Sequence, residues 1–209
     1  MFDGILFDLD GTLWNSSAEV TASWNIVLQR EGVDRPPFTD ADIAGVMGLT
    51  LPDIAARLLP ALPRERQLAV IEACCEEESI YLAAHGASVY PTSEELAALA
   101  ARYPLFVVSN CQAGYIEAFY KGTGLGGYFK DFESAGNTGL PKWDNIALVV
   151  KRQGLKRPVY VGDTDWDYQA ARRAGVPFIH AAYGFGQVEG VPAIRRFGEL
   201  DGLLKTLDG

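Results

Sequence analysis

The hydrophobic pattern divides the chain into two kinds of sequence. Ile5-Leu6-Phe7 is a short apolar run that halts at Asp8. A run of that length closed by a turn signal predicts a buried strand. Comparable runs at Pro104–Val108, Pro158–Val161 and Pro177–Ile179, with a shorter candidate over 128–134, predict further strands. The pattern between residues 16 and 88 is different. Ser16-Ser17-Ala18-Glu19 reads as a capping box, and Val20, Trp24, Val27 and Leu28 then recur at helical spacing up to Gly32. Thr39 to Asp42 opens another helix, Gly45-Val46-Met47-Gly48 interrupts it, and Pro52–Leu59 and Arg64–Ala84 again read as helical. From Tyr90-Pro91 onward the predicted strands alternate with helices. Thr92-Ser93-Glu94-Glu95 caps one that reaches Arg102. Others span about 112–121 and 144–153, and another runs up to Ala174, where Gly175 stops it.

Alternation of this kind predicts an α/β fold, a parallel sheet covered by helices on both faces. The catalytic core comprises residues 1–15 and 89–209, and residues 16–88 form an all-helical cap inserted after strand 1. Parallel sheets present ligands at the C-terminal ends of their strands. An insert springing from beside Asp8 and Asp10 is expected to lie over that end as a lid.

Composition narrows the chemistry. A net charge of −9 argues against nucleic acid and anionic membrane as partners. It also means that an anionic substrate needs a local cation or a metal. The three cysteines, Cys74, Cys75 and Cys111, form neither a zinc spacing nor a disulfide framework, which suits a reducing setting. Cys111 reads as a small, partly buried thiol, since neither His85 nor His180 is placed to activate it. No run is long enough to span a membrane, and the chain enters its first strand without a signal-type segment, so a cytoplasmic protein is expected. The Gly-rich stretches carry no dinucleotide or Walker pattern.

Candidate chemistry collects at the strand ends. Asp8 and Asp10 stand at i and i+2, a spacing that points both carboxylates to one side of a strand. Two acids there need a partner, and carboxylate oxygens suit Mg²⁺. The second strand ends in Ser109-Asn110, a loop supplies Lys142, and the 158–161 strand ends in Gly162-Asp163-Thr164-Asp165-Trp166-Asp167. Together these supply a nucleophile, an acid/base, donors, a cation and metal acids, a complete set for phosphoryl transfer.

Four motifs in this order resemble the haloacid dehalogenase superfamily, in particular its phosphatases with a helical cap after strand 1. They are Asp8-Leu9-Asp10-Gly11-Thr12, Ser109-Asn110, Lys142 and Gly162-Asp163-Thr164-Asp165-Trp166-Asp167. Tyr90-Pro91, Tyr128-Phe129 and Ala170–Pro177 extend the resemblance over nearly the whole chain. One departure is that Pro141 precedes Lys142 and Trp143 follows it, where many relatives have Lys-Pro. Lys130, Lys151 and Lys156 are the other lysines nearby, and Lys142 is the preferred candidate.

The resemblance implies a Rossmann-like core and an Mg²⁺-dependent phosphatase, phosphoglycolate phosphatase-like, acting on a small phosphorylated metabolite. Asp8 is the implied nucleophile and forms an aspartyl-phosphate; Asp10 is the acid/base, and Lys142 adds positive charge. Ser109, Asn110, Lys142 and Thr12 form the phosphate-binding set. Asp8, Asp10 (through its carbonyl), Asp163 and Asp167 form the metal set, Asp167 acting through water or by orienting Lys142. Asp165 is expected to be exposed or an N-cap, and His85, His180 and Trp166 to be structural. Two alternatives are a β-phosphoglucomutase-type mutase, which would call on cap cations among Arg30, Arg35, Arg57, Arg64 and Arg66, and a catalytically inactive ligand-binding module. The uncharged segment 45–50 is either a specificity loop or a packing turn.

Overall fold

The computed structural model describes residues 1–47 and 49–207. Its first elements are β1 (Gly4–Phe7), β2 (Trp14–Asn15) and four consecutive helices, α1 (Ser17–Arg30), α2 (Asp40–Ala44), α3 (Leu51–Leu58) and α4 (Arg64–His85). There follow β3 (Ser88–Val89), α5 (Ser93–Ala100), β4 (Leu105–Ser109), α6 (Tyr115–Thr123), β5 (Phe129–Ser134), α7 (Ala135–Thr138) and α8 (Lys142–Gln153). The chain ends with β6 (Pro158–Gly162), α9 (Asp165–Arg173), β7 (Phe178–Ala181), β8 (Ala193–Ile194) and α10 (Leu200–Leu207).

Six strands form one sheet in the order β5-β4-β1-β6-β7-β8, with every pairing parallel. All four residues of β1 are buried, as are all five of β4 and of β6, so these central strands read as unbroken apolar runs. Alternate side chains still separate by face. Ile5, Phe7, Leu105 and Val107 pack with α6, α10 and the helical segment, while Leu6, Phe106 and Val108 pack with α8 and α9. The sheet is therefore covered on both sides, as the alternation predicted.

Residues between β2 and β3 form only helices among those described. The two short strands pair antiparallel, Trp14 with Val89 and Asn15 with Ser88, and tie the ends of the helical segment together at its base. These two-residue strands lack a pattern long enough to be read from sequence. The segment packs internally through α1 against α4 and α3 against α4, and α4 also leans on α6 of the sheet layer. Trp24, Ile43, Ile54 and Ile71 belong to the same apolar cluster as Ile5 and Phe7. Thr92 forms the expected capping box with Glu95. Ser16 does not cap α1: its φ/ψ of −98°/4° is not the extended conformation of a side-chain cap, and its hydroxyl is used elsewhere.

Candidate active site

β1, β4 and β6 are adjacent and parallel, so their C-terminal tips share one edge of the sheet. The residues leaving those tips are Asp8, Asn110 and Asp163, with Ser109 closing β4. The tip of β1 is locked by the Asp8 N–H donating to the Val161 carbonyl at 2.8 Å. The chain then turns tightly at Gly11, whose φ is +81°. A Cβ there would lie 2.2 Å from Asp163 Oδ2, so both the turn and the close approach require glycine. The turn returns the Trp14 indole to Asp10.

The two neighbouring acids enter different surroundings. Lys142 Nζ donates to Asp8 Oδ1 at 2.7 Å and to Asp167 Oδ1 at 2.6 Å, and all three groups are buried. Burial, and then Asp167, push the Asp8 carboxyl well above its ordinary range, and Lys142 offsets only part of this. Burial also works against the Lys142 ammonium, yet Asp167 and Asp8 hold its pKa well above that of a free lysine. Asp10 faces neutral donors. Trp14 Nε1–H (2.8 Å), the Ser16 hydroxyl (2.8 Å) and the Tyr115 hydroxyl (2.9 Å) all donate to its Oδ1. Burial raises its pKa and those three bonds lower it. Ser16 thus serves a half-buried carboxylate, a stronger acceptor–donor pair than a helix N–H and a hydroxyl.

Asp8, Asp163 and Asp167 bring ligand-type oxygens within 4.8 Å of one another. Three buried carboxylates share one ammonium, which leaves two negative charges uncompensated when all are ionised. Burial, followed by Asp167, pushes Asp163 up to about 7. An all-oxygen donor set with this charge deficit fits a hard divalent cation. The Asp10 carboxylate lies outside the cluster. Asp167 uses its second oxygen to accept from the Thr164 N–H (3.0 Å) and hydroxyl (2.6 Å) in a capping box on α9. Both of its oxygens are therefore engaged with protein donors. Asp165, by contrast, is exposed at the first position of α9, and Thr164 is the N-cap.

The remaining predicted residues divide. Ser109, Asn110, Asp8 and Asp10 line one cavity. Thr12 is wholly buried and turns its hydroxyl toward Asp163 Oδ1 at 3.4 Å. Lys142 begins α8, two residues before the expected start, with Pro141 at the N-cap. Lys130, Lys151 and Lys156 are exposed. His180 is buried with Nε2 3.1 Å from the Asp163 carbonyl, and His85 stacks on Tyr81, both structural as expected. Trp166 departs from expectation: it is 64% exposed, because α9 turns Asp167 inward and its predecessor outward. Burial raises the Cys111 thiol well above its ordinary pKa, which disfavours the nucleophilic thiolate.

Sequence reasoning missed three contributors. Tyr115 lies 105 residues from the acid it serves. The loop after β7 packs against the three-carboxylate cluster: the Phe185 N–H donates to Asp163 Oδ2 at 2.7 Å and the Tyr183 hydroxyl to the Thr12 carbonyl at 2.8 Å. Gly184 lies so close that a Cβ would sit 2.3 Å from the Asp163 Cβ; the Tyr183-Gly184-Phe185-Gly186 string reads from sequence as a loop beyond the last strand near the site, and only its role is missing there. The third is Glu78 of α4, buried against the cavity and discussed below.

Comparison with known proteins agrees with this arrangement. The family model described as haloacid dehalogenase-like hydrolase matches residues 5–181. A phosphoglycolate phosphatase of Cereibacter sphaeroides is 30% identical over 190 residues, covering 87% of this chain and 86% of the relative. One from Rhodospirillum rubrum is 29% identical over 196 residues, covering 88% and 80%. A solved haloacid dehalogenase-like family hydrolase from Streptococcus pneumoniae superposes with a TM-score of 0.82 at 20% identity, covering 97% and 98% of the two chains, and shows the same fold. The chain belongs to the haloacid dehalogenase-like hydrolase family.

Proposed function

We propose that this hydrolase is an Mg²⁺-dependent phosphomonoester phosphatase that acts on a small phosphorylated metabolite through a phosphoryl group carried on Asp8. The observation that carries the reading is the separation of two acids two residues apart. Asp8 sits in a charged cluster with Lys142, and Asp10 sits among neutral donors. A cationic partner favours the Asp8 carboxylate, whereas Asp10 has only neutral hydrogen-bond donors, and such a contrast is a usual basis of a nucleophile and acid/base division.

In this reading the Asp8 carboxylate attacks phosphorus, and the bond from phosphorus to the ester oxygen breaks. Asp10 delivers its proton to the departing alkoxide, giving the free alcohol. Asp10, now a carboxylate, takes a proton from water as that water attacks phosphorus, releasing phosphate and restoring Asp8. Three donors on Oδ1 leave Oδ2 as the atom that handles the proton. Lys142 and Ser109 are assigned to the phosphoryl oxygens, with Asn110, which lines a cavity with each of them, beside them. Thr12, predicted to bind phosphate, is better suited to hold Asp163. Asp167 is assigned to positioning Lys142. Asp8, Asp163 and the Asp10 carbonyl are the proposed ligands of Mg²⁺, which supplies charge neutralisation for an anionic substrate. Residues 16–88 are proposed to act as the cap over this edge. The mutase reading loses support because no arginine is among the described residues lining the cavity.

Phosphate release from a panel of small esters, with Mg²⁺ and with EDTA, tests the reading. Mg²⁺-dependent release that disappears in Asp8→Asn is the expected result. Release by Asp8→Asn at the wild-type rate would overturn it.

A further inference from the structure

The cavity over Asp8 and Asp10 closes against the helical segment. Val20, Trp24, Val46, Leu51 and Ile54 supply an apolar wall. Glu78 is the one carboxylate that the helical segment adds to it among the described residues, and no lysine, arginine or histidine is among the described lining residues. Three of the five arginines of the segment are engaged elsewhere. Arg30 pairs with Glu77, Arg66 pairs with Glu31, and Arg35 donates to the Leu58 carbonyl while covering the Phe38 ring. Lys142 is engaged by Asp8 and Asp167.

Glu78 is firmly held. It is 4% exposed, accepts from Trp24 Nε1–H on Oε2, and accepts from Gln112 Nε2 on Oε1 at 2.9 Å. Gln112 follows the tip of β4, so this bond joins α4 to the same sheet edge that carries Ser109. The cavity is partly open and holds about 60 Å³, which suits a compact leaving group.

Resting on the phosphatase reading above, we propose that this pocket selects phosphate esters whose leaving alcohol is compact and uncharged, and rejects esters whose leaving group carries a carboxylate or a second phosphate. An anion placed there would be buried without a cation, and above about pH 8 also beside the ionised Glu78 carboxylate, whereas a hydroxyl can donate to Glu78. Burial pushes Glu78 up to about 8, moderated by its Gln112 and Trp24 bonds. A neighbouring anion would oppose its ionisation further. Phosphoglycolate carries such a carboxylate, so the inference sets this chain apart from the relatives named after that ester.

The test compares two esters of equal length, 2-hydroxyethyl phosphate and phosphoglycolate, with Mg²⁺ and the full chain at about pH 9, where Glu78 is ionised. The expected kcat/KM favours the uncharged ester by about tenfold or more, the scale set by an unpaired like charge in a site of this kind. Glu78→Gln is expected to narrow that ratio, and Met47→Arg, which adds a cation to the partly buried part of the wall, to narrow or invert it. Phosphoglycolate turned over equally well or better by the wild type would overturn the charge selection and leave the phosphatase reading standing. A preference unchanged in both variants would overturn its assignment to this wall. No release from any ester would overturn the phosphatase reading, and this proposal with it.

Discussion

Asp163→Asn is expected to stabilise the metal-free protein at alkaline pH. Asp163 is fully buried, and burial followed by Asp167 raises it from an ordinary 3.8 to about 7. A group with a raised folded pKa lends stability that is complete below 3.8 and is lost as pH climbs to about 7. The difference of about 3 pH units corresponds to about 4 kcal/mol at 1.36 kcal/mol per unit. Asparagine removes that charge. It can keep the Phe185 N–H bond through its own oxygen, while the weak Thr12 contact is lost, a cost of about 1 kcal/mol. The net gain is about 3 kcal/mol at pH 8, or an upward shift of about 1 M in the urea midpoint for an m-value near the top of the usual range. The assay is urea unfolding followed by tryptophan fluorescence, in EDTA, at pH 5 and pH 8. The gain should be absent below pH 4, where both proteins are neutral at this position. With saturating Mg²⁺ the order should reverse, since only the wild type presents the full donor set. An Asp163→Asn midpoint at or below wild type in EDTA at pH 8 would refute the reasoning, because it would mean that burial and Asp167 do not penalise the Asp163 carboxylate as the geometry requires.

Other perturbations act on separate parts of the site. Asp10→Asn should lower kcat by about 10²–10⁴, the span for loss of an acid/base, with thermal stability close to wild type, read by phosphate release and calorimetry. Lys142→Met should cost about 3–5 kcal/mol of stability at pH 8 in EDTA, since it strands the Asp8 and Asp167 carboxylates in the interior; an unchanged urea midpoint there would count against the buried triad. Tyr115→Phe removes a donor that lowers the Asp10 pKa, so the kcat limb governed by Asp10 should move to higher pH by about half a unit or more, for a bond worth about 1 kcal/mol. Gly184→Ala should weaken Mg²⁺ binding measured by titration calorimetry, because its methyl would displace Asp163.

What the sequence made legible follows from locality. A parallel sheet sends all its strand tips to one edge, so the apolar runs ending in Asp8, Ser109 and Asp163 were enough to gather them. The opposed charge of Lys142 and Asp167 could be paired on the same grounds, although the start of α8 lay two residues earlier than its apolar spacing showed. What escaped depends on where helices cross the sheet. Tyr115 looks like one more aromatic on an amphipathic helix until α6 brings its hydroxyl to Asp10. Ser16 satisfies the capping-box pattern in sequence, and only the three-dimensional approach of Asp10 diverts it. β2, β3 and β8 hold two residues each, too few for any period to register.

Glu78 shows why that division matters for function. On α4 it is one of three consecutive glutamates, Glu76, Glu77 and Glu78, a run that reads as a solvated helix face. Helical geometry turns successive residues by about 100°, so three neighbours cannot share one environment. Glu77 meets Arg30 at the surface, whereas Glu78 is carried under the helix to Trp24 and Gln112. On the reading proposed above, the phosphoryl-handling groups lie at strand tips and are therefore fixed by topology, while the group proposed to face the leaving alcohol is set by the rotation of a single helix. A shift that brought Ser79 to the place of Glu78 would change the charge of the pocket without touching Asp8 or Asp10. Relatives can thus share every strand-tip motif and still differ in the ester they accept, so the helix face over the sheet edge carries more information about substrate than the motifs do.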